Sequence, residues 1–231
     1  MGTLYLVRHG QASLGADDYD QLSPLGRLQC ERLGRYWRER GRTFDAVLTG
    51  SLKRHAQSLA GIVAGLGSAD SNATALTPQI WPGLNEYDSE AVIRAVHSGP
   101  LERPLNAVAA RLHFRLLRLG LRAWMAGQTQ PVGMPSYAEF SAGVAAALEH
   151  VRQHCKGDVL IVSSGGPIST AVGQILATPH ESIIEMNLHI RNSAVSEFSF
   201  NPKRHVLQTF NMLPHLDSAD SADGAALVTY A

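Results

Sequence analysis

Arg8-His9-Gly10 sets a guanidinium beside an imidazole at the end of a short apolar run, Leu4 to Val7. A histidine nitrogen can attack phosphorus, an arginine fork fits phosphoryl oxygens, and a glycine lets the backbone approach a ligand. The tripeptide alone also fits an ordinary strand-end loop. Ser51-Leu52-Lys53-Arg54-His55-Ala56-Gln57-Ser58 begins a helix. A helix N-terminus favours an anion, and Arg54 lies in the first turn. Taken singly, this segment is equally a solvated helix start. Asn85-Glu86-Tyr87-Asp88 follows the turn Trp81-Pro82-Gly83. A carboxylate near a phosphoryl group can protonate a departing alkoxide, although an isolated glutamate is more often plain surface. Ser163-Ser164-Gly165-Gly166-Pro167 leaves a strand for a helix, where the Gly165 and Gly166 N–H groups can receive an oxyanion.

The elements that must position these segments alternate in type. Leu4–Val7 reads as a buried strand, and Phe44–Leu48, Leu76–Ile80 and Val159–Val162 read as further strands. Helices are expected from Ser23-Pro24, with serine as cap and proline in the first turn, and over about Leu52–Leu66, burying Leu59, Ile62, Val63 and Leu66. Further helices are expected over Glu90–His97 and Pro104–Ala126, from the capping box Ser136-Tyr137-Ala138-Glu139 to about His154, and after Ser163–Pro167 to Leu176. Ala194–Phe200 and His205–Phe210, joined by Asn201-Pro202-Lys203-Arg204, read as a hairpin. The fold class is therefore α/β: a three-layer α/β/α sandwich with a mostly parallel sheet, an antiparallel edge hairpin and a helical insertion over about 88–140. Residues 1–216 form one domain in this reading, and the acidic stretch 217–231 is a loosely held tail. In such folds ligands gather at the carboxyl ends of the strands, where Arg8-His9-Gly10, Ser51–Ser58 and Ser163–Gly166 fall.

Strand–Arg-His-Gly, the Ser-x-x-Arg-x-x-Gln-Ser helix start, Leu-Asn-Glu and strand–Ser-Ser-Gly-Gly, in this order, resemble the histidine phosphatase superfamily, which includes the phosphoglycerate mutases. The resemblance runs to about residue 211. It implies that His9 is the phosphorylated nucleophile, that Arg8 and Arg54 clamp the phosphoryl group, and that Glu86 is the proton donor. Gln11, Ser13 and Gly165 would line the substrate pocket. It also marks a departure: Ser164 stands where the family normally has a second histidine. A serine carries no charge, and losing one preorganised donor typically costs about 10²–10³ in rate. Weakened or altered turnover is expected, and Ser164→His is expected to raise it. His55 and His189 are the histidines that could compensate, although a surface role suits both better. The short connection Gln11–Leu22 lacks the longer asparagine- and tryptophan-bearing stretch of true mutases, which favours a phosphatase. A catalytically silent relative that binds phosphate or a partner is the alternative, and a shared fold with unrelated chemistry is a third.

Composition narrows the partners. The 231 residues carry 20 Lys and Arg against 20 Asp and Glu, so no basic excess points to nucleic acid. No run reaches the apolar length of a membrane helix, and the N-terminal stretch has no basic leader. Two cysteines, Cys30 and Cys155, form no disulfide framework, and a cytoplasmic location is expected. The substrate is then a small phosphorylated molecule or phosphate itself. No cofactor is called for, and no histidine, cysteine or acidic cluster has metal-ligand spacing. The edge hairpin could pair across a homodimer. Arg111, Arg115, Arg118 and Arg122 share one helix face, read as a solvated face rather than a funnel for anions.

Overall fold

The computed structural model describes residues 1–13, 20–67, 77–101, 106–217 and 227–230. Its strands are β1 (Gly2–Arg8), β2 (Ala46–Thr49), β3 (Gln79–Ile80), β4 (Asp158–Ser163), β5 (Val195–Asn201) and β6 (Arg204–Met212). They form one six-stranded sheet in the order β3-β2-β4-β1-β5-β6. The first four of that order run parallel. β5 is antiparallel to β1 and β6 to β5, so the hairpin makes one edge. The fold is α/β, with the mostly parallel sheet that the alternation of strand and helix predicts.

Side chains alternate across each strand and separate two cores. Tyr5 and Val7 of β1 face α1 (Pro24–Arg38) and α2 (Lys53–Leu66) through Cys30, Leu33, Leu59 and Ile62. Leu4 and Leu6 face α5 (Tyr137–His154) and α6 (Gly165–Leu176) through Val144, Val151 and Ile168. The expected helix starts are present: Ser23 accepts from the Gly26 N–H ahead of Pro24, and Ser136 and Glu139 form a reciprocal capping box.

Several expectations are corrected. Val63 lies on the outer side of α2 and is exposed. Leu112 and Leu119, which helical spacing predicts as packing positions together with Leu116, are also exposed, because α4 (Ala107–Met125) turns Leu116, Leu117, Leu121 and Trp124 inward. The expected third strand shortens to Gln79–Ile80, and its first residue, Leu76, lies outside the described residues, as does Pro104. A helix that the sequence did not announce, α7 (His180–His189), buries Ile183 and Ile184 against α3 (Ser89–Arg94) and α4. The helical insertion is therefore completed by a later segment. Arg118 pairs with Glu181 and Glu185 of α7, and Arg122 with Glu181. These partly exposed pairs fit a solvated face and contribute little individually.

Residues 227–230 are held against the fold. Leu227 is buried, Gln29 Nε2 donates to its carbonyl at 2.7 Å, and Thr229 Oγ1 donates to Asn192 at 2.9 Å. For residues 227–230 this corrects the expectation of a loose tail; residues 218–226 and 231 lie outside the described residues. No helix among the described residues is long and apolar enough to cross a membrane.

α1 and α2 cross with backbones in contact, and this sets where the helix bearing Arg54 sits. A Cβ added at Gly34 would lie 2.0 Å from the Ile62 carbonyl oxygen. Gly34→Ala must push α2 outward and is expected to cost about 1–3 kcal/mol, the range for overpacking a tight contact. Urea unfolding checks this; an unchanged midpoint would show that the two helices separate without cost.

Candidate active site

β1, β2 and β4 end side by side, with Arg8 opposite Ser163 and Thr49 opposite Val162. Three of the chemically loaded segments therefore leave the sheet at the same edge. His9 continues the β1 ladder by donating its N–H to the Ser163 carbonyl at 2.9 Å, and its own carbonyl accepts from Ser193 at 3.1 Å. The backbone around the imidazole is thus held on both sides.

The ring is 3% exposed in residue terms, and Nδ1 lies 2.7 Å from the Gly10 carbonyl. A carbonyl only accepts, so Nδ1 carries the hydrogen and Nε2 keeps its lone pair. Burial holds the pKa of His9 well below the ordinary histidine value, and the charges of Arg8 and Arg54 push it further down. The Gly10 N–H is itself pinned, donating to Ser58 Oγ at 3.1 Å, while Ser58 donates to the Arg54 carbonyl at 2.7 Å. Ser58 therefore locks the turn after the imidazole to the first turn of α2.

Both guanidiniums are buried. Arg8 Nη1 donates to the Ile190 carbonyl at 2.5 Å. Arg54 Nη1 pairs with Asp20 Oδ1 at 2.9 Å. Asp20 also accepts from the Lys53 N–H at 2.9 Å. The residue preceding α2, Leu52, has no side chain able to cap, so a carboxylate from a distant segment does so and holds Arg54 at the same time.

Glu86 arrives on the turn after the 3-10 segment Pro82–Leu84. Ser163 Oγ donates to the Leu84 carbonyl at 2.7 Å, and Asn85 exchanges hydrogen bonds with Ser51, both at 2.7 Å. These contacts tie the Glu86 turn to β4 and to the start of α2. The carboxylate of Glu86 accepts from the Gly166 N–H at 3.1 Å. Desolvation raises its pKa above the ordinary glutamate value, against the opposing pull of Arg54, the Gly166 N–H and Arg8.

Ser164 is fully buried at the N-cap of α6. Its Oγ lies 2.7 Å from Nε2 of His55, which is also fully buried. The His9 and His55 ring centroids are 5.9 Å apart. The surface role expected of His55 is therefore a correction, whereas His189 is exposed and bonds back to Glu185 along its own helix. A histidine at 164 that followed the direction of Ser164 Oγ would meet the His55 ring, so a gain of turnover from Ser164→His would also require that ring to move.

Of the expected pocket-wall residues, Gln11 uses its side-chain carbonyl to accept from Ser23 Oγ at 2.8 Å. Ser13 pairs through its backbone N–H with the Gln21 carbonyl at 2.8 Å. Residues 14–19 of this connection lie outside the described residues. Gly165 is buried, and the Gly166 N–H expected for an oxyanion is occupied by Glu86. Arg8, His9, Arg54 and Glu86 lie at the same end of the sheet within reach of one another's charges, and Ser164 lies beside them through His55. Asp20 and Ser58 are supports that the motifs do not announce, because their partners Arg54 and Gly10 lie 34 and 48 residues away in sequence; His55, named only as a residue that could compensate, meets Ser164 from 109 residues away. Among the described residues no group of three or more His, Cys, Asp or Glu side chains is placed to hold a metal ion.

The profile of the histidine phosphatase superfamily (branch 1) matches residues 4–213. No curated sequence matches the chain significantly. Among solved structures, the alpha-ribazole phosphatase from Shigella flexneri aligns with a TM-score of 0.62 at 21% identity, over 91% of this chain and 96% of that one. A phosphoserine phosphatase from Entamoeba histolytica, in complex with 3-phosphoglyceric acid, aligns with a TM-score of 0.62 at 19% identity, over 93% and 99%. A phosphoglycerate mutase from Bacillus anthracis str. Sterne aligns with a TM-score of 0.61 at 17% identity, over 93% and 94%. At these identities the likeness is one of fold.

Asp20 gives the site a test of its own. Asp20→Ala removes the substitute cap of α2 and is expected to cost about 1–2 kcal/mol, the range for losing a helix cap. Asp20→Asn keeps an acceptor oxygen and should lose less. Chemical denaturation separates the two; equal losses would place the contribution of Asp20 in its charge and not in the cap.

Proposed function

The chain belongs to the histidine phosphatase superfamily, and from that premise we propose that it hydrolyses small phosphomonoesters through a phosphohistidine on His9. The observation that carries the reading is the contact of the nucleophile's Nδ1 with the Gly10 carbonyl. A hydrogen on Nδ1 directed at the Gly10 carbonyl leaves the lone pair on Nε2, and the nearby charges of the buried Arg8 and Arg54 oppose protonation of the ring.

In the first step Nε2 of His9 attacks phosphorus and the ester P–O bond breaks. The departing alkoxide takes the proton of Glu86, whose raised pKa keeps that proton available. Arg8 and Arg54 hold the equatorial oxygens, and their charge stabilises the transferring group. In the second step water attacks the phosphohistidine and gives its proton to the Glu86 carboxylate. The P–N bond breaks, inorganic phosphate leaves, and both residues return to their starting forms. The short connection between β1 and α1 supports hydrolysis over mutase chemistry, since a mutase must shield its phosphohistidine from water. Both cysteines are unpaired, which suits a reducing cytoplasm, where we place the reaction. The uncharged Ser164 favours a second reading, a phosphate-binding relative without turnover.

The test is hydrolysis of an aryl and an alkyl phosphomonoester as a function of pH. His9→Ala should abolish both activities; wild-type turnover in that variant contradicts the mechanism. In the native protein kcat/KM should fall as pH drops only well below the ordinary histidine range, because His9 must stay neutral and its pKa is depressed. It should fall again as pH rises through the raised pKa of Glu86, because the acid is then lost. Glu86→Gln should remove that alkaline fall and slow the alkyl substrate far more than the aryl one, whose leaving group needs less protonation. An alkaline fall that survives Glu86→Gln would assign it to another group.

A further inference from the structure

The reaction above makes no use of His55, yet few positions in the protein are less comfortable for an imidazole. The ring is fully buried beside the Arg54 charge. Its pKa falls to about 3, first through desolvation and then through Arg54, so it is neutral in the empty pocket. Nδ1 faces the Gly50 backbone without a well-formed hydrogen bond. Room for the ring exists because residue 50 has no Cβ: one added there would lie 2.3 Å from His55 Nδ1. An apolar side chain would avoid these desolvation costs. A polar group held at such expense next to a nucleophile points to a role in the chemistry.

The imidazole has one good contact, Nε2 to Ser164 Oγ at 2.7 Å. We infer that His55 is a positioning residue of the phosphoryl pocket, acting through the hydroxyl of Ser164. The inference rests on the phosphatase reading of that pocket. A serine hydroxyl has one hydrogen and rotates freely unless a partner fixes it. When Nε2 accepts, the hydroxyl hydrogen is spent on the ring. When Nε2 donates, the ring holds Oγ and leaves the hydroxyl hydrogen to point away from it. A phosphoryl oxygen bound at His9 only accepts, so its arrival selects the second arrangement. His55 and Ser164 then act as one unit, a neutral donor delivered from β4 and aimed from α2.

The experiment is a double-mutant cycle on His9-dependent phosphomonoester hydrolysis, with stability measured for every variant. His55→Ala and Ser164→Ala are each expected to lower kcat on the order of 10²-fold, the usual loss for one transition-state donor, with KM little changed. The double variant should be no slower than either single one, because the two side chains act together. His55→Gln, which keeps a hydrogen-bonding tip, should recover part of kcat. Ser164→His alone should be impaired by collision with the His55 ring, and His55→Ala combined with Ser164→His should be faster than Ser164→His alone. This last comparison, with His55→Gln, carries the test if His55→Ala does not fold. Multiplicative losses in the cycle, or a His55→Ala protein that is merely less stable with kcat intact, would overturn the inference and leave the phosphatase reading standing. Absence of His9-dependent turnover in the native protein would instead overturn that reading and this inference with it.

Discussion

An imidazole can attack phosphorus only while one of its nitrogens keeps a lone pair, and here that condition must hold beside two buried cations. The hydrogen bond from His9 Nδ1 to the Gly10 carbonyl selects the tautomer, and burial with the charges of Arg8 and Arg54 opposes protonation of the ring. The same guanidiniums would hold the phosphoryl oxygens, so one pair of charges serves both to keep the nucleophile neutral and to bind its target. Burying them requires fixed acceptors: the Ile190 carbonyl for Arg8 and the Asp20 carboxylate for Arg54.

Those acceptors come from segments far apart in the chain, and further polar contacts join the segments that carry the site residues. Ser58 links the His9 turn to α2, Asn85 links the Glu86 turn to the start of α2, and Ser163 links that turn to β4. Gln29, buried in α1, accepts from the Gln11 N–H and donates to Leu227, so the C-terminal segment is fastened behind the loop that follows the nucleophile. Phosphoryl transfer depends on in-line placement, and side chains carried on strand ends and helix starts hold such placement better than free loops do.

Features with a local cause were legible in the sequence. Apolar runs ending in Arg-His-Gly and Ser-Ser-Gly-Gly marked β1 and β4, and Ser23-Pro24 and Ser136–Glu139 marked helix starts through caps that the structure contains. Features set by tertiary contact were not. α7 follows Pro179 with no side-chain cap, and its own pattern leaves only Ile183 and Ile184 as core. Val63, Leu112 and Leu119 are apolar and sit within helices, but which neighbours they meet is decided by where α1 and α7 dock. His55 was the hardest to place. Position 55 lies one residue past Arg54 in a helix start, and only the missing Cβ of Gly50 and the Ser164 hydroxyl, 109 residues away in sequence, give the ring a buried seat.

The central claim is that phosphorus passes through a nitrogen of His9. Rapid acid-free quenching during turnover of a phosphomonoester, followed by peptide mass spectrometry, measures this directly. The account predicts a phosphorylated peptide containing His9 whose phosphate is lost in acid and survives in base, as expected of a P–N bond, and which is absent from His9→Ala. An acid-stable phosphate on the peptide containing Ser164, or steady turnover without any phosphorylated His9, would contradict it.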